Sequence, residues 1–383
     1  MQKMREYKLM IPGPVEVSRE VREAFNRPTV AHYGEEWAHF YLRTTERLSS
    51  MLGCTGQTFI LPGSGSVALE ASASTFAPER RSLILNNGFF GERLYNIFSR
   101  YSDECEKLNF EMGKPIDPDV LNELLRGKRF DIVVFTHVET STGVLNPVRD
   151  IAEIAKSHGA LVIVDSISSA AIEKLDMDSW KVDVVVTASQ KGLECPPGLG
   201  IVSVRSENMQ EIRNSRKRSW YSDLSVWLDY FEKWHDWHPF PVTLPTNAIM
   251  ALGKSLDLIE AQGLAEREAQ FERTSQKVRS CLKEMGFELF TSWDFSAHGL
   301  TAVNTLGKIK PSELVKFLKE KFSVQIAGSL GELSSFLFRI GHMSTEQIKT
   351  SNLLTLLVGI SDFLRVKGFP CNTQKAISEI LEQ

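Results

Sequence analysis

Residues 182–200 read VDVVVTASQKGLECPPGLG, with Lys191 near the middle. The run 182–187 is β-branched and apolar except for Asp183, the pattern of a short strand buried on both faces. A Gly198-x-Gly200 turn leads into a second such run over 200–204. The runs 58–61, 82–85, 132–136 and 161–165 have the same texture. Helical patterns fill the intervals at 67–76, 92–101, 119–125 and 148–158. Strand–helix–strand repetition predicts an α/β fold with a doubly wound, mainly parallel sheet. Lys191 falls just past a strand end, where open α/β sheets collect their ligands.

The texture changes after about residue 245. Two long amphipathic helices over 247–260 and 264–285 flank the break at Gln262-Gly263. Then come a strand over 300–306, a helix over 311–321, a strand near 336–340 and a closing helix over 345–366. The division expected is an N-terminal segment 1–16, a large lobe 17–245 and a smaller C-terminal α+β lobe 246–383. With 383 residues, 42% hydrophobic and 24% charged, the chain has ample core for two lobes and a cleft.

A net charge of −4 carries no electrostatic signature of nucleic-acid binding. The short basic run Arg213, Arg216, Lys217, Arg218 reads as a solvated helix face. Cys54, Cys105, Cys195, Cys281 and Cys371 are scattered and lack CxxC spacing, so they read as free thiols with no metal framework. The first residues lack the apolar core of a signal peptide, no 18-residue apolar stretch occurs, and the tail ILEQ is not a peroxisomal address. The expectation is a cytoplasmic protein with no membrane partner. Trp220, Trp227 and Trp234 recur at spacings of seven within an aromatic cluster that reaches Trp237, and read as a packed helix face or an interface.

Several strand ends carry residues suited to one cofactor. Asp165 closes the run Leu161-Val-Ile-Val-Asp, where it suits a helix N-cap or, beside Lys191, the partner of a protonated ring nitrogen. Ser64, Gly65 and Ser66 lie in a Gly/Ser turn between strand and helix, whose free N–H groups suit a phosphate. Phe90, between Gly88 and Gly91, is expected on a turn at the ligand edge, placed to stack on a flat ring. Thr140 and Ser141 offer hydroxyls after another strand, for a cofactor oxygen, for the substrate, or simply for a turn. A lysine for an imine, a carboxylate, an anion cradle and an aromatic lid are what pyridoxal 5'-phosphate requires.

Together these segments resemble the class V aminotransferases of the type I pyridoxal-phosphate fold, nearest the alanine–glyoxylate/serine–pyruvate group. The resemblance covers nearly the whole chain, from Leu9-Met-Ile-Pro-Gly-Pro14 to Phe336-Leu-Phe-Arg-Ile-Gly-His-Met343. It implies that Lys191 forms the imine, that Asp165 pairs with the ring nitrogen, and that Ser64, Gly65, Ser66 and Gln190 hold the phosphate. It further implies that Thr140 or Ser141 meets the cofactor hydroxyl side, that Gly13 lines the substrate pocket, and that Arg339 grips the substrate carboxylate. In 239–245, Thr243 matches a residue that reaches the phosphate of the neighbouring subunit's site, which implies a homodimer with shared active sites. Two positions depart from the pattern: Phe90 stands where many relatives stack a tryptophan, and Phe240 where some have a phosphate-touching tyrosine. His32-Tyr33 occupies the family's N-terminal active-site segment.

The activity so implied is ping-pong transamination between small amino acids and oxo acids, with serine or alanine as donor and glyoxylate or pyruvate as acceptor. The runner-up is 2-aminoethylphosphonate–pyruvate transamination. A cysteine desulfurase-like lyase would want a nucleophilic cysteine before the C-terminal arginine, and none lies between Cys281 and Cys371.

Overall fold

The computed structural model describes residues 5–216 and 219–381. Residues 1–4, the last two residues, and Lys217 and Arg218 of the basic run lie outside the described residues. Seven strands form the large sheet: β1 (Gln57–Pro62), β2 (Arg81–Asn86), β3 (Glu104–Asn109), β4 (Ile132–Thr136), β5 (Leu161–Asp165), β6 (Val184–Ala188) and β7 (Leu199–Val204). Their spatial order is β1-β7-β6-β5-β4-β2-β3. β7 pairs antiparallel with both neighbours, and the remaining pairs are parallel.

Alternation along the central strands explains why the runs look continuously apolar. Ile84, Val134, Ile163 and Val186 enter one core, while Leu83, Leu85, Val133, Phe135, Val162, Val164 and Val185 enter another. Successive side chains point to opposite faces, and helices such as Gly65–Phe76 and Val148–Ser157 cover them. β3 was not anticipated. Its sequence Glu-Cys-Glu-Lys-Leu-Asn sits on the sheet edge with no fully buried residue, so it lacks the apolar signal of the inner strands.

A second, antiparallel sheet holds β8 (Glu288–Leu289), β9 (Leu300–Asn304), β10 (Ala327–Gly328) and β11 (Leu337–Gly341), in the order β8-β9-β11-β10. Its core draws on Val303, Phe338 and Ile340 together with Leu356, Leu357 and Ile360 of the helix Thr350–Val366. The helix Thr246–Gln262 buries Ile249, Leu252, Leu256 and Ile259 in the core of the large sheet. The helix expected over 311–321 is α-helical only over Pro311–Phe317 and widens into a π turn over Leu318–Phe322.

The N-terminal segment is built into the second sheet's surroundings. Lys8–Leu9 pairs parallel with Val324–Gln325. Gly341 N–H donates to Met10 C=O at 2.9 Å, and Gln347 Nε2 donates to Leu9 C=O (2.7 Å) and Ile11 C=O (3.0 Å). A Cβ on Gly341 would stand 2.0 Å from the Ile11 carbonyl oxygen, so only glycine permits this approach.

Candidate active site

β5 and β6 are neighbours, and their C-terminal ends bring Asp165 and the loop bearing Lys191 to one edge of the sheet. Both side chains are buried. Lys191 Nζ donates to Ser168 Oγ at 3.1 Å, and Ser168 Oγ also bonds Thr140 Oγ1. Burial lowers the Lys191 amine to about 8, opposed by the Asp165 charge. Burial likewise raises the Asp165 carboxyl to about 6, opposed by the Ile167 backbone N–H, which donates to Asp165 Oδ1 at 2.9 Å, and by Lys191.

The loop after Lys191 is gripped from the C-terminal part of the chain. Arg267, itself buried, donates from Nε to Ala171 C=O (2.7 Å) and from Nη2 to Gly192 C=O (2.9 Å), and pairs with Glu194. Glu194 in turn accepts the Thr345 N–H at 2.9 Å. From the other side comes residue 13. Gly13 has φ +91°, and a Cβ there would lie 2.6 Å from Lys191 Cε. The Val15 N–H donates to the Gln190 C=O at 3.0 Å, which seats the segment against the lysine loop.

Ser64 caps the helix Gly65–Phe76, accepting the Ser66 N–H at 3.3 Å. A Cβ on Gly65 would meet Ile167 Cδ1 at 2.5 Å and Ala188 Cβ at 3.3 Å, so this helix start abuts the Asp165 and Lys191 strand ends. Phe90 lies in the first turn of the helix Phe89–Phe98, not on a free turn, because the helix begins three residues earlier than its apolar pattern suggests. Its ring centroid is 6.0 Å from Lys191 Nζ. Thr140 and Ser141 part company here. Thr140 reaches Ser168 beside the lysine, whereas the Ser141 hydroxyl donates to Glu139 Oε1 (2.6 Å) and accepts the Phe89 N–H (3.1 Å).

Arg339, on β11, is buried and extends to the same loop, donating from Nη1 to Thr140 C=O (2.9 Å) and from Nη2 to Gly328 C=O (2.9 Å). Burial lowers it to about 10, which leaves it cationic at neutral pH. Thr243 is exposed, away from any such cluster of contacts. Phe240 is wholly buried against Tyr41 and His238, with centroids 4.8 and 4.5 Å away. Its ring is therefore core. Two residues escaped the sequence reading: Ser168, inside the Asp165–Ser169 run, and Glu139, inside the Thr140 loop. Nothing in spacing marks either one out from its polar neighbours.

The residues present fit pyridoxal phosphate. A buried amine and a buried carboxyl share the strand edge, Gly13 keeps backbone close to the amine, Gly65 packs on Ile167 and Ala188 beside them, and among the described residues Gln190 Oε1 is buried without a partner.

The family model for aminotransferase class-V matches residues 31–349, and the chain belongs to that family. Among curated relatives, an uncharacterized aminotransferase of Methanocaldococcus jannaschii is 34% identical over 88% of this chain and 87% of its own. Alanine–glyoxylate aminotransferase 1 of Saccharomyces cerevisiae is 28% identical over 88% and 91%. Among solved structures, ureidoglycine–glyoxylate aminotransferase of Bacillus subtilis superposes with a TM-score of 0.91 at 27% identity, covering 99% of this chain and 98% of that one. The chain is thus an aminotransferase of the type I fold, within a group that includes glyoxylate and pyruvate transaminases. No helix among the described residues is long and apolar enough to cross a membrane.

Proposed function

We propose that the protein is a pyridoxal-phosphate aminotransferase that exchanges amino groups between serine or alanine and glyoxylate or pyruvate, with Lys191 as the cofactor lysine. The observation that carries this reading is that Lys191 and Asp165 are both buried at the ends of neighbouring strands, with burial lowering the amine to about 8. When bound, the cofactor supplies an aldehyde for the lysine and an electron sink for the pair left at the substrate's Cα.

The chain's own residues do the rest. Ser64, Gly65, Ser66 and Gln190 would hold the phosphate, and Phe90 would lie against the ring. Asp165 would accept a hydrogen bond from a protonated ring nitrogen and favour the proton there. Thr140 orients the hydroxyl side of the ring. Arg339 binds the substrate carboxylate through its two-pronged guanidinium, which fixes the Cα–H toward the lysine. Lys191, as the free amine, would be the base that moves the Cα proton. Gly13 leaves room for the lysine to swing. In the same reading Thr243 serves the phosphate of a partner subunit's site.

Borohydride reduction of protein loaded with pyridoxal phosphate, followed by peptide mapping, tests the assignment. The label is expected on Lys191, with Lys191→Ala colourless and inactive, and a label on a different lysine would refute it. A panel of serine, alanine, aspartate and 2-aminoethylphosphonate, each added to the yellow protein, identifies the donor by loss of the visible band. Bleaching by the phosphonate alone would replace the small-amino-acid reading.

A further inference from the structure

Glu139 follows β4 and is wholly buried. Oε2 accepts the N–H groups of Phe90 and Gly91, each at 3.0 Å, and Oε1 accepts the Ser141 N–H at 3.0 Å and the Ser141 hydroxyl at 2.6 Å. Two bonds into each oxygen is the pattern expected of a carboxylate. Among the described residues no basic side chain forms an ion pair with it. Capping a helix requires only an acceptor, which a neutral side chain supplies, whereas an unpaired buried charge is costly. The charge itself therefore calls for an explanation.

The neighbours of Glu139 provide one. The two amides it holds belong to the first turn of Phe89–Phe98, so it sets the position of the Phe90 ring. The next residue, Thr140, gives its C=O to Arg339 and its hydroxyl to Ser168, which bonds Lys191. Ser141 C=O accepts from Ser329 Oγ at 3.1 Å, tying the same loop to the strand region that carries Arg339's other partner, Gly328. A Cβ on Gly88 would come 2.5 Å from Glu139 Cδ, so the helix entry leaves space for the carboxylate only because residue 88 is glycine.

We propose that Glu139 is a positioning residue that fixes Phe90 and Arg339 in one mutual geometry and holds a buried negative charge next to the Lys191 pocket. This rests on the roles given above to Lys191, Phe90 and Arg339. In keeping with it, the Glu139 charge is among those that raise the Lys191 and Arg339 proton affinities.

The test uses the cofactor-loaded enzyme and its visible band. Glu139→Gln keeps the side-chain volume and removes the charge. The pH at which the visible band gives way to its near-ultraviolet form should fall, by roughly half a unit to one unit, because a negative charge that favours the protonated form has been removed. KM for alanine should rise about tenfold through the displaced Arg339, a loss that one misaligned charge-assisted bond commonly causes. Glu139→Asp retains the charge, so its titration midpoint should stay near the wild-type value while KM still rises. A Glu139→Gln enzyme with an unmoved midpoint would reduce Glu139 to a helix cap and overturn the proposal, whatever its melting temperature. If Glu139→Gln fails to fold, Gly88→Ala and Glu139→Asp decide. A raised KM in both supports positioning, and an unchanged KM in both overturns it. A wild-type protein labelled on another lysine would instead sink the cofactor reading itself, so the two failures are distinguishable.

Discussion

Burial acts on Lys191 and Asp165 in opposite senses, bringing an amine at about 8 and a carboxyl at about 6 to one strand edge. Each shift destabilises the cofactor-free protein over a definite pH window. Asp165 titrates above its ordinary 3.8, so the stability it contributes is present below that value and is lost as pH rises through about 6. Lys191 titrates below its ordinary 10.5, so its contribution is present above that value and is lost as pH falls through about 8. The cofactor-free protein should therefore be weakened around neutrality, by on the order of 1–3 kcal/mol for each group. Asp165→Asn should abolish the acid-side change in melting temperature between about pH 4 and 6. It should also slow Cα proton removal by orders of magnitude, since stabilising developing charge is typically worth about 3 kcal/mol or more. Melting curves against pH and single-turnover rates measure the two effects. Near-normal turnover with saturating cofactor would remove Asp165 from its role.

Among elements, the N-terminal segment shows how distant parts of the chain complete the lysine pocket. Residues 8–11 are held by Val324–Gln325, Gly341 and Gln347, and only then does Gly13 reach Lys191. Gly341→Ala would drive a methyl into the backbone of Ile11, which three close contacts forbid. It should lower stability by about 2–4 kcal/mol, the range for overpacking at a close backbone contact. KM should rise as well, because Arg339 lies two residues away on the same strand. Thermal melts and steady-state kinetics check this, and a wild-type melting temperature would show that the segment is not seated there. The aromatic heptad was misleading for a related reason. Trp220 and Trp234 lie outside the helix Leu224–Lys233, and only Trp227 of the three is buried. Sequence spacing implied a single helix face that the chain interrupts.

For the whole molecule, those unburied rings matter. Tyr33, Trp234 and Trp237 are each about half exposed, and Trp237 contacts both others at centroid distances of 5.7 and 6.1 Å. Contiguous exposed aromatics suit burial by another chain, and Thr243, also exposed, is free to reach outward. The proposed twofold dimer, with Thr243 completing the partner subunit's phosphate site, would account for both. Thr243→Val should then weaken cofactor affinity and, more modestly, the dimer, because cofactor binding and pairing are linked by mass action. Sedimentation of dilute protein with and without cofactor reads this out. A fully active monomer would contradict the shared site and leave the Lys191 chemistry intact.

Local sequence was enough for the sheet's interior strands, since residues buried on both faces must be apolar and strand ends must meet ligands. Lys191, Asp165 and the Gly/Ser turn were legible as strand-end residues, and the structure does bring them to one sheet edge, while their roles toward the cofactor stand as proposals. Local sequence could not reveal β3, whose exposed edge needs no apolar pattern, nor which of Thr140 and Ser141 faces the lysine. That choice depends on Glu139 capturing the Ser141 hydroxyl. Nor could it show that Gly13 and Lys191, or Thr140 and Arg339, are in contact. Those pairs are separated by long stretches of chain, and only the packing of the second sheet against the first brings them together.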